Sequence, residues 1–172
     1  RQGDTIRVQL NAHDDPTATV ALPVADEALE RWLRPTLLEC ADHPSVQAAV
    51  REAIGDATDG REVATRLLRY VFVTLDKGSG PVASPNAAEI LRDGMGDCSE
   101  HAVLFTTLCR AAGLPARRLS GYALVGNMWG SHAFCEIWLG RWIGADPTTN
   151  ELGTKARYIA FGWSDDPDSY PG

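Results

Sequence analysis

The chain has 172 residues, about the size of one ordinary domain, and its 44% apolar and 8% aromatic residues are enough to bury a full core. A formal charge of -7 argues against nucleic acid or an anionic membrane surface as the main partner, because both need clustered Lys and Arg. No apolar run approaches the roughly 20 residues that span a bilayer, so this segment is not expected to insert in a membrane. The opening residue, Arg1 rather than Met, suggests a piece of a longer chain. Four cysteines (Cys40, Cys98, Cys109, Cys135) with no Cys-x-x-Cys pair read as free thiols. Free thiols suit a reducing compartment or an exported enzyme with one protected nucleophile, which leaves localisation open.

In chain order, residues 5–10 alternate Ile6, Val8 and Leu10 with polar partners, and residues 17–22 do so after a turn-like "HDDP". This predicts an N-terminal hairpin within a segment 1–25, ahead of a core domain over 26–172. "VADEALERWLRPTLL" predicts a short helix up to Pro35, and "HPSVQAAVREAIG" a helix entered through Pro44 and Ser45 and ended at Gly55. Val63, Leu67, Leu68, Val71 and Leu75 recur at helical spacing and predict a buried stripe. A Gly- and Pro-rich loop follows, then a short helix in "SPNAAEILRD" with Ser84 as its expected cap. The next helix starts at about Cys98, capped by Asp97 and closed by Gly113 with Pro115 beyond. "ARRLSGYALV", "SHAFCEIWL" and "RWIGAD" then predict three antiparallel strands, while the tail shows only the apolar "RYIAF".

Chemistry concentrates in the second half. Cys98 opens its helix on the stripe of Ala102, Phe105 and Cys109, so its thiol faces inward at the positive end of the helix dipole. Free N–H groups there stabilise a thiolate and can hold an oxyanion beside it. Downstream, "SHAFCEIWLGRWIGADPT" sets His132 in one strand, a turn at Gly140, and Asp146 at the end of the next strand, so a carboxylate can orient a base across one hairpin. Strand parity makes a demand on that turn. A two-residue turn at Gly140 and Arg141 would place Asp146 opposite Cys135, on the face away from His132. The triad therefore requires a three-residue turn over 139–141 or a bulge, which puts Asp146 opposite Phe134 and diagonal to His132.

On these residues, "GDCSEHAVLFTTLCRAAGLPARRLSGY" followed by "SHAFCEIWLGRWIGADPT", the chain resembles the bacterial transglutaminase-like superfamily. The resemblance is gap-free from about Ser84 to Thr148 and weaker upstream. It implies a papain-like α+β fold, with Cys98 at a helix N-terminus packed on an antiparallel sheet. Cys98 would be nucleophile, His132 general base and Asp146 the orienting acid, acting on a peptide or protein amide through an acyl-enzyme. The chain departs from the animal cross-linking enzymes, which use a Trp upstream of the nucleophile, in having no Trp between Trp32 and Trp129. A cysteine peptidase or amidase is therefore the expected activity. Acyl transfer to an amine and a non-catalytic binding module are the alternatives. Phe134 stands where the family usually has Trp, and no calcium loop of spaced Asp and Glu is present. No cofactor or metal is implied.

Further candidates are read both ways. Ser84 and Asn86 are upstream positions for a second oxyanion donor, and Trp129 could wall the cleft or donate its indole N–H. Glu136 shares the His132 face as a hydrogen-bonding partner or a salt-bridge acid. Asp97 suits a helix cap, Glu100 a first-turn acid, and Arg117 and Arg118 a surface or core edge. Cys98, His101, Cys109, His132 and Cys135 together would make a zinc site only if they converged.

Overall fold

The computed structural model describes residues 15–78, 84–155 and 157–164. Helix α1 (Pro44–Ile54) starts where proline fits, at the first helical position, with the His43 ring accepting the Ser45 N–H and Gly55 in a positive-φ conformation at its end. Helix α2 (Gly60–Thr74) is capped by Asp59 through the Glu62 N–H, and its expected stripe of Val63, Leu67, Leu68 and Val71 is buried. Upstream, the expected short helix is a 3-10 helix over residues 27–32, buried at Leu29 and Trp32.

The expected N-terminal hairpin is only partly within view, because its first arm lies outside the described residues. Its second arm forms no regular strand: Ala21 makes one isolated bridge, to Asp59. The apolar positions of that arm alternate because it is laid across the start of α2, where Arg61 donates to the Ala18 carbonyl at 2.7 Å and Gly60 to that of Val20 at 2.8 Å.

Helix α3 (Ala87–Asp93) begins after Asn86, and helix α4 (Cys98–Ala111) after Asp97. Between them runs β2 (Met95–Gly96), paired in parallel with β1 (Asp76–Lys77). Helix α4 is buried on every side from His101 to Arg110, because α1, α2 and α3 pack on one flank and a sheet on the other. The sheet has five strands in the order β6-β5-β4-β3-β7. They are β3 (Ala116–Val125), β4 (Met128–Trp138), β5 (Trp142–Asp146), β6 (Glu151–Leu152) and β7 (Tyr158–Ser164). The tail that looked unpatterned thus supplies an edge strand, paired antiparallel to β3.

Candidate active site

The β4–β5 connection positions the pair that matters. Trp138 lies opposite Trp142 and Cys135 opposite Ala145, so residues 139–141 form a three-residue turn, with Gly140 at φ 82. Asp146 comes to the His132 face, and His132 Nε2 meets Asp146 Oδ2 at 2.8 Å. This leaves the Nδ1 edge of the ring for Cys98, which lines one cleft with His132 and Ala133 and interacts with both. The His132 ring is held between Phe134, stacked at 6.3 Å, and Tyr158, tilted at 6.0 Å.

Electrostatics follow from this geometry. The hydrogen bond to His132 lowers the Cys98 thiol below its ordinary value. Burial works against that shift, the Ala133 N–H supports it, and the charge of Asp97 opposes it. Burial presses His132 to lose its proton, yet its bonds to Asp146 and Cys98 prevail and raise it to about 9. Asp146 is 1% exposed, which favours its neutral form, but hydrogen bonds from His132 and Tyr158 and the Thr148 N–H hold it down to about 2. The two shifts run in the directions that favour a thiolate beside an imidazolium. By contrast, burial pushes the Cys135 thiol up to about 12 and Cys109 well above its usual value, so neither competes as a nucleophile.

Cys98 opens into a cleft of about 130 Å³ lined also by Ser99, Arg118, Leu119, Ser120, Ser131, His132 and Ala133. The backbone N–H of Cys98 is at the first position of α4, where the helix itself supplies no acceptor. Asp97 caps that helix by accepting the Ser99 N–H at 2.7 Å, and Glu100 returns a bond to the Asp97 N–H, so the expected cap is a full capping box.

The remaining expectations divide. Asn86, read as an upstream donor, is the cap of α3: its Oδ1 accepts the Ala88 and Glu89 N–H groups at 3.0 and 3.1 Å. It replaces Ser84 in that role, because Asn86 is extended while Ser84 sits at φ 54. Neither residue lines the cleft. Asn86→Ala is expected to lower stability by about 1 kcal/mol in urea denaturation and to leave the alkylation rate of Cys98 unchanged. Trp129 lies opposite Leu124 near the tip of the β3–β4 hairpin, not in the cleft wall. Glu136 is engaged by Arg117 at 2.6 Å, in an ion pair covered by the Trp142 ring. The convergence that a zinc site needs does not occur, since among the described residues no three His, Cys, Asp or Glu are grouped to hold a metal.

One feature left no signal in the sequence, and two residues named there have partners that it did not show. The Tyr158 hydroxyl donates to Asp146 Oδ2 at 2.7 Å, so the carboxylate that orients His132 is itself held by β7. Arg118, read as a surface or edge residue, lies at the cleft with 9% of its surface exposed and is paired with the buried Glu39. His101 is fully buried one turn after Cys98, with Nδ1 at 2.7 Å from the Asp97 carbonyl.

Comparison with known proteins agrees with this architecture. A protein of Mycobacterium leprae with no assigned function is 30% identical over 124 residues, 67% of this chain and 44% of that protein. The structure described as a candidate cysteine protease of Cytophaga hutchinsonii superimposes with a TM-score of 0.73 at 24% identity, covering 87% of this chain and 51% of that one. The periplasmic domain of TgpA from Pseudomonas aeruginosa does so with a TM-score of 0.56 at 23% identity, covering 74% and 49%. At these identities the structural matches establish the fold, and the chain spans about half the length of the proteins it matches. Among the described residues no helix is long and apolar enough to cross a membrane. The family profile of the transglutaminase-like superfamily matches residues 47–147, well over half of the chain, and the chain belongs to that superfamily.

Proposed function

We propose that the chain is a thiol-dependent amide-bond enzyme, a cysteine peptidase or amidase, with Cys98 as nucleophile, His132 as acid and base, and Asp146 as the group that orients His132. The observation that carries this reading is the convergence at the cleft: Cys98 and His132 line it together, and His132 is bonded to a buried carboxylate at 2.8 Å. The Cys98 thiolate attacks an acyl carbonyl, forming a C–S bond, and the developing oxyanion is met by the Cys98 N–H at the helix start. As the C–N bond breaks, imidazolium Nδ1 gives its proton to the leaving amine. Neutral His132 then takes a proton from water, whose oxygen attacks the thioester, and the C–S bond breaks to restore the thiolate. Water is taken as the acceptor because the chain lacks, between Trp32 and Trp129, the Trp that the animal cross-linking enzymes use. A peptide or protein is the substrate class, in keeping with the protease description of the Cytophaga structure.

The test is the rate of Cys98 alkylation by iodoacetamide against pH, read by mass spectrometry in the wild type and in His132→Ala. Selective modification of Cys98 with a midpoint well below the usual thiol value of about 8.5, lost in His132→Ala, is the expected result. A Cys98 that reacts no faster than Cys40 overturns the reading. Peptide turnover with and without an added primary amine then separates hydrolysis from acyl transfer by the mass of the product.

A further inference from the structure

Strands β3 and β4 run together past the part of the sheet that α4 covers, to the pairs Leu124 with Trp129 and Val125 with Met128. The face turned to α4 is identified by Cys135, whose sulfur lies 3.6 Å from the Ala102 carbonyl. Alternation then places Arg118, Ser120 and Tyr122 of β3 on that face, with Ala133 and Ser131 of β4. Of these, all but Tyr122 line the cleft beside Cys98. Tyr122 is the next step outward, opposite Ser131 and about 7 Å along the strand from Ser120.

There the surface changes character. Tyr122 is 42% exposed and Phe161 67% exposed, and their rings meet edge to face with centroids 5.2 Å apart at 84°. Phe161 falls at the irregularity in β7, between Ala160 opposite Gly121 and Gly162 opposite Ser120. An extra residue inserted in an edge strand re-aims a side chain, and here the ring is brought over Tyr122. Two large rings held against each other on an open sheet face, continuous with a polar cleft, offer apolar contact area whose ordering cost is already met.

We infer that Tyr122 and Phe161 form a subsite for a bulky apolar or aromatic side chain of the peptide, close to the amide held at Cys98. This rests on the thiol-enzyme reading and extends it to specificity. An extended peptide leaving the cleft along β3 carries every second side chain toward this face at about the same 7 Å step, so a residue near the reacting carbonyl meets the pair. Tyr122 and Phe161 are positioned for recognition and take no part in bond making.

The experiment is protection of Cys98 from iodoacetamide by two blocked heptapeptides of Gly and Ser, one with a central Phe and one with Ser in its place. Half-protection is expected at about tenfold lower concentration for the Phe peptide, as for one buried aromatic side chain. The double variant Tyr122→Ser/Phe161→Ser should lose that tenfold difference while alkylating at the wild-type rate without peptide, which shows the relay intact. Val125→Ser, an exposed apolar residue on the other face of the same strand, should keep the difference. Equal protection by both peptides overturns the subsite, as does a preference that survives the double variant or is lost equally in Val125→Ser. If Cys98 shows no selective alkylation without peptide, the thiol-enzyme reading itself fails and the subsite falls with it.

Discussion

Asp146→Asn is expected to lower amide turnover by about 10³–10⁴-fold, with little change in the position of the side chain. Both carboxylate oxygens are acceptors in this site: Oδ2 takes His132 and Tyr158 at 2.8 and 2.7 Å, and Oδ1 takes the Thr148 N–H at 2.9 Å. An amide has one acceptor. If its oxygen faces His132, its NH₂ is set against the Thr148 N–H. If the NH₂ faces His132, Nε2 must accept, the proton moves to Nδ1, and no base is left for Cys98. The lost charge also matters, because His132 falls from about 9 toward its ordinary 6.5 and the thiolate form recedes at neutral pH.

The stability profile carries the same signature. His132, with its folded value raised from 6.5 to about 9, contributes stability fully present below pH 6.5 and lost as pH rises through 9. Asp146, lowered from 3.8 to about 2, contributes stability fully present above pH 3.8 and lost as pH falls through 2. The two shifts share the His132–Asp146 pairing, to which Cys98 adds on one side and Tyr158 and the Thr148 N–H on the other, so that pairing is fully formed between pH 3.8 and 6.5 and is worth at most roughly 2–3 kcal/mol, counted once. Urea midpoints at pH 5 and above pH 9 should differ in the wild type and converge in Asp146→Asn. A variant that keeps both the activity and the alkaline loss would show that His132 takes its charge from another group.

The largest loss of stability is expected from Glu39→Ala, about 3–5 kcal/mol in urea denaturation. Glu39 is 3% exposed and accepts from Arg118 Nε and the Thr36 hydroxyl. Arg110, 5% exposed, lies in the same region and donates to the Ala116 and Arg34 carbonyls at 3.0 Å. Its own charge is disfavoured by burial and supported by Glu39. Removing this carboxylate leaves the buried Arg110 and Arg118, which already repel each other, without the charge of Glu39. The paired change Glu39→Leu/Arg118→Met removes both ends and should cost well under half as much. If the single variant is no worse than the double, the pair does not hold this region together.

Local rules account for what could be read in the sequence. Proline at a first helical position, Asp97 as a cap, and the Val63 to Val71 stripe each act within a turn or two, so the starts of α1 and α4 and the buried face of α2 follow from short windows. The turn over 139–141 was legible for another reason: a period of two admits only one parity that brings His132 and Asp146 to one face. Long-range partners were not legible. Glu39 and Arg118 are 79 positions apart, and β7 adds to β3 across β4, β5 and β6, so neither the buried pair nor the Tyr158 bond leaves a local trace. The cap of α3 was misplaced by two residues because "SPN" offers two capping side chains, and only backbone conformation selects Asn86 over Ser84.

The turn over 139–141 has an evolutionary corollary. Its length is fixed twice over: Leu139 lies in the core at 1% exposure, and deleting one residue would turn Asp146 to the opposite side of the sheet together with the buried Ile143 and Ala145. Descendants of this chain therefore cannot lose the carboxylate by shortening this connection without also opening the core, and a search for silent members of the lineage should look for substitutions at Cys98, His132 and Asp146 within a connection of unchanged length.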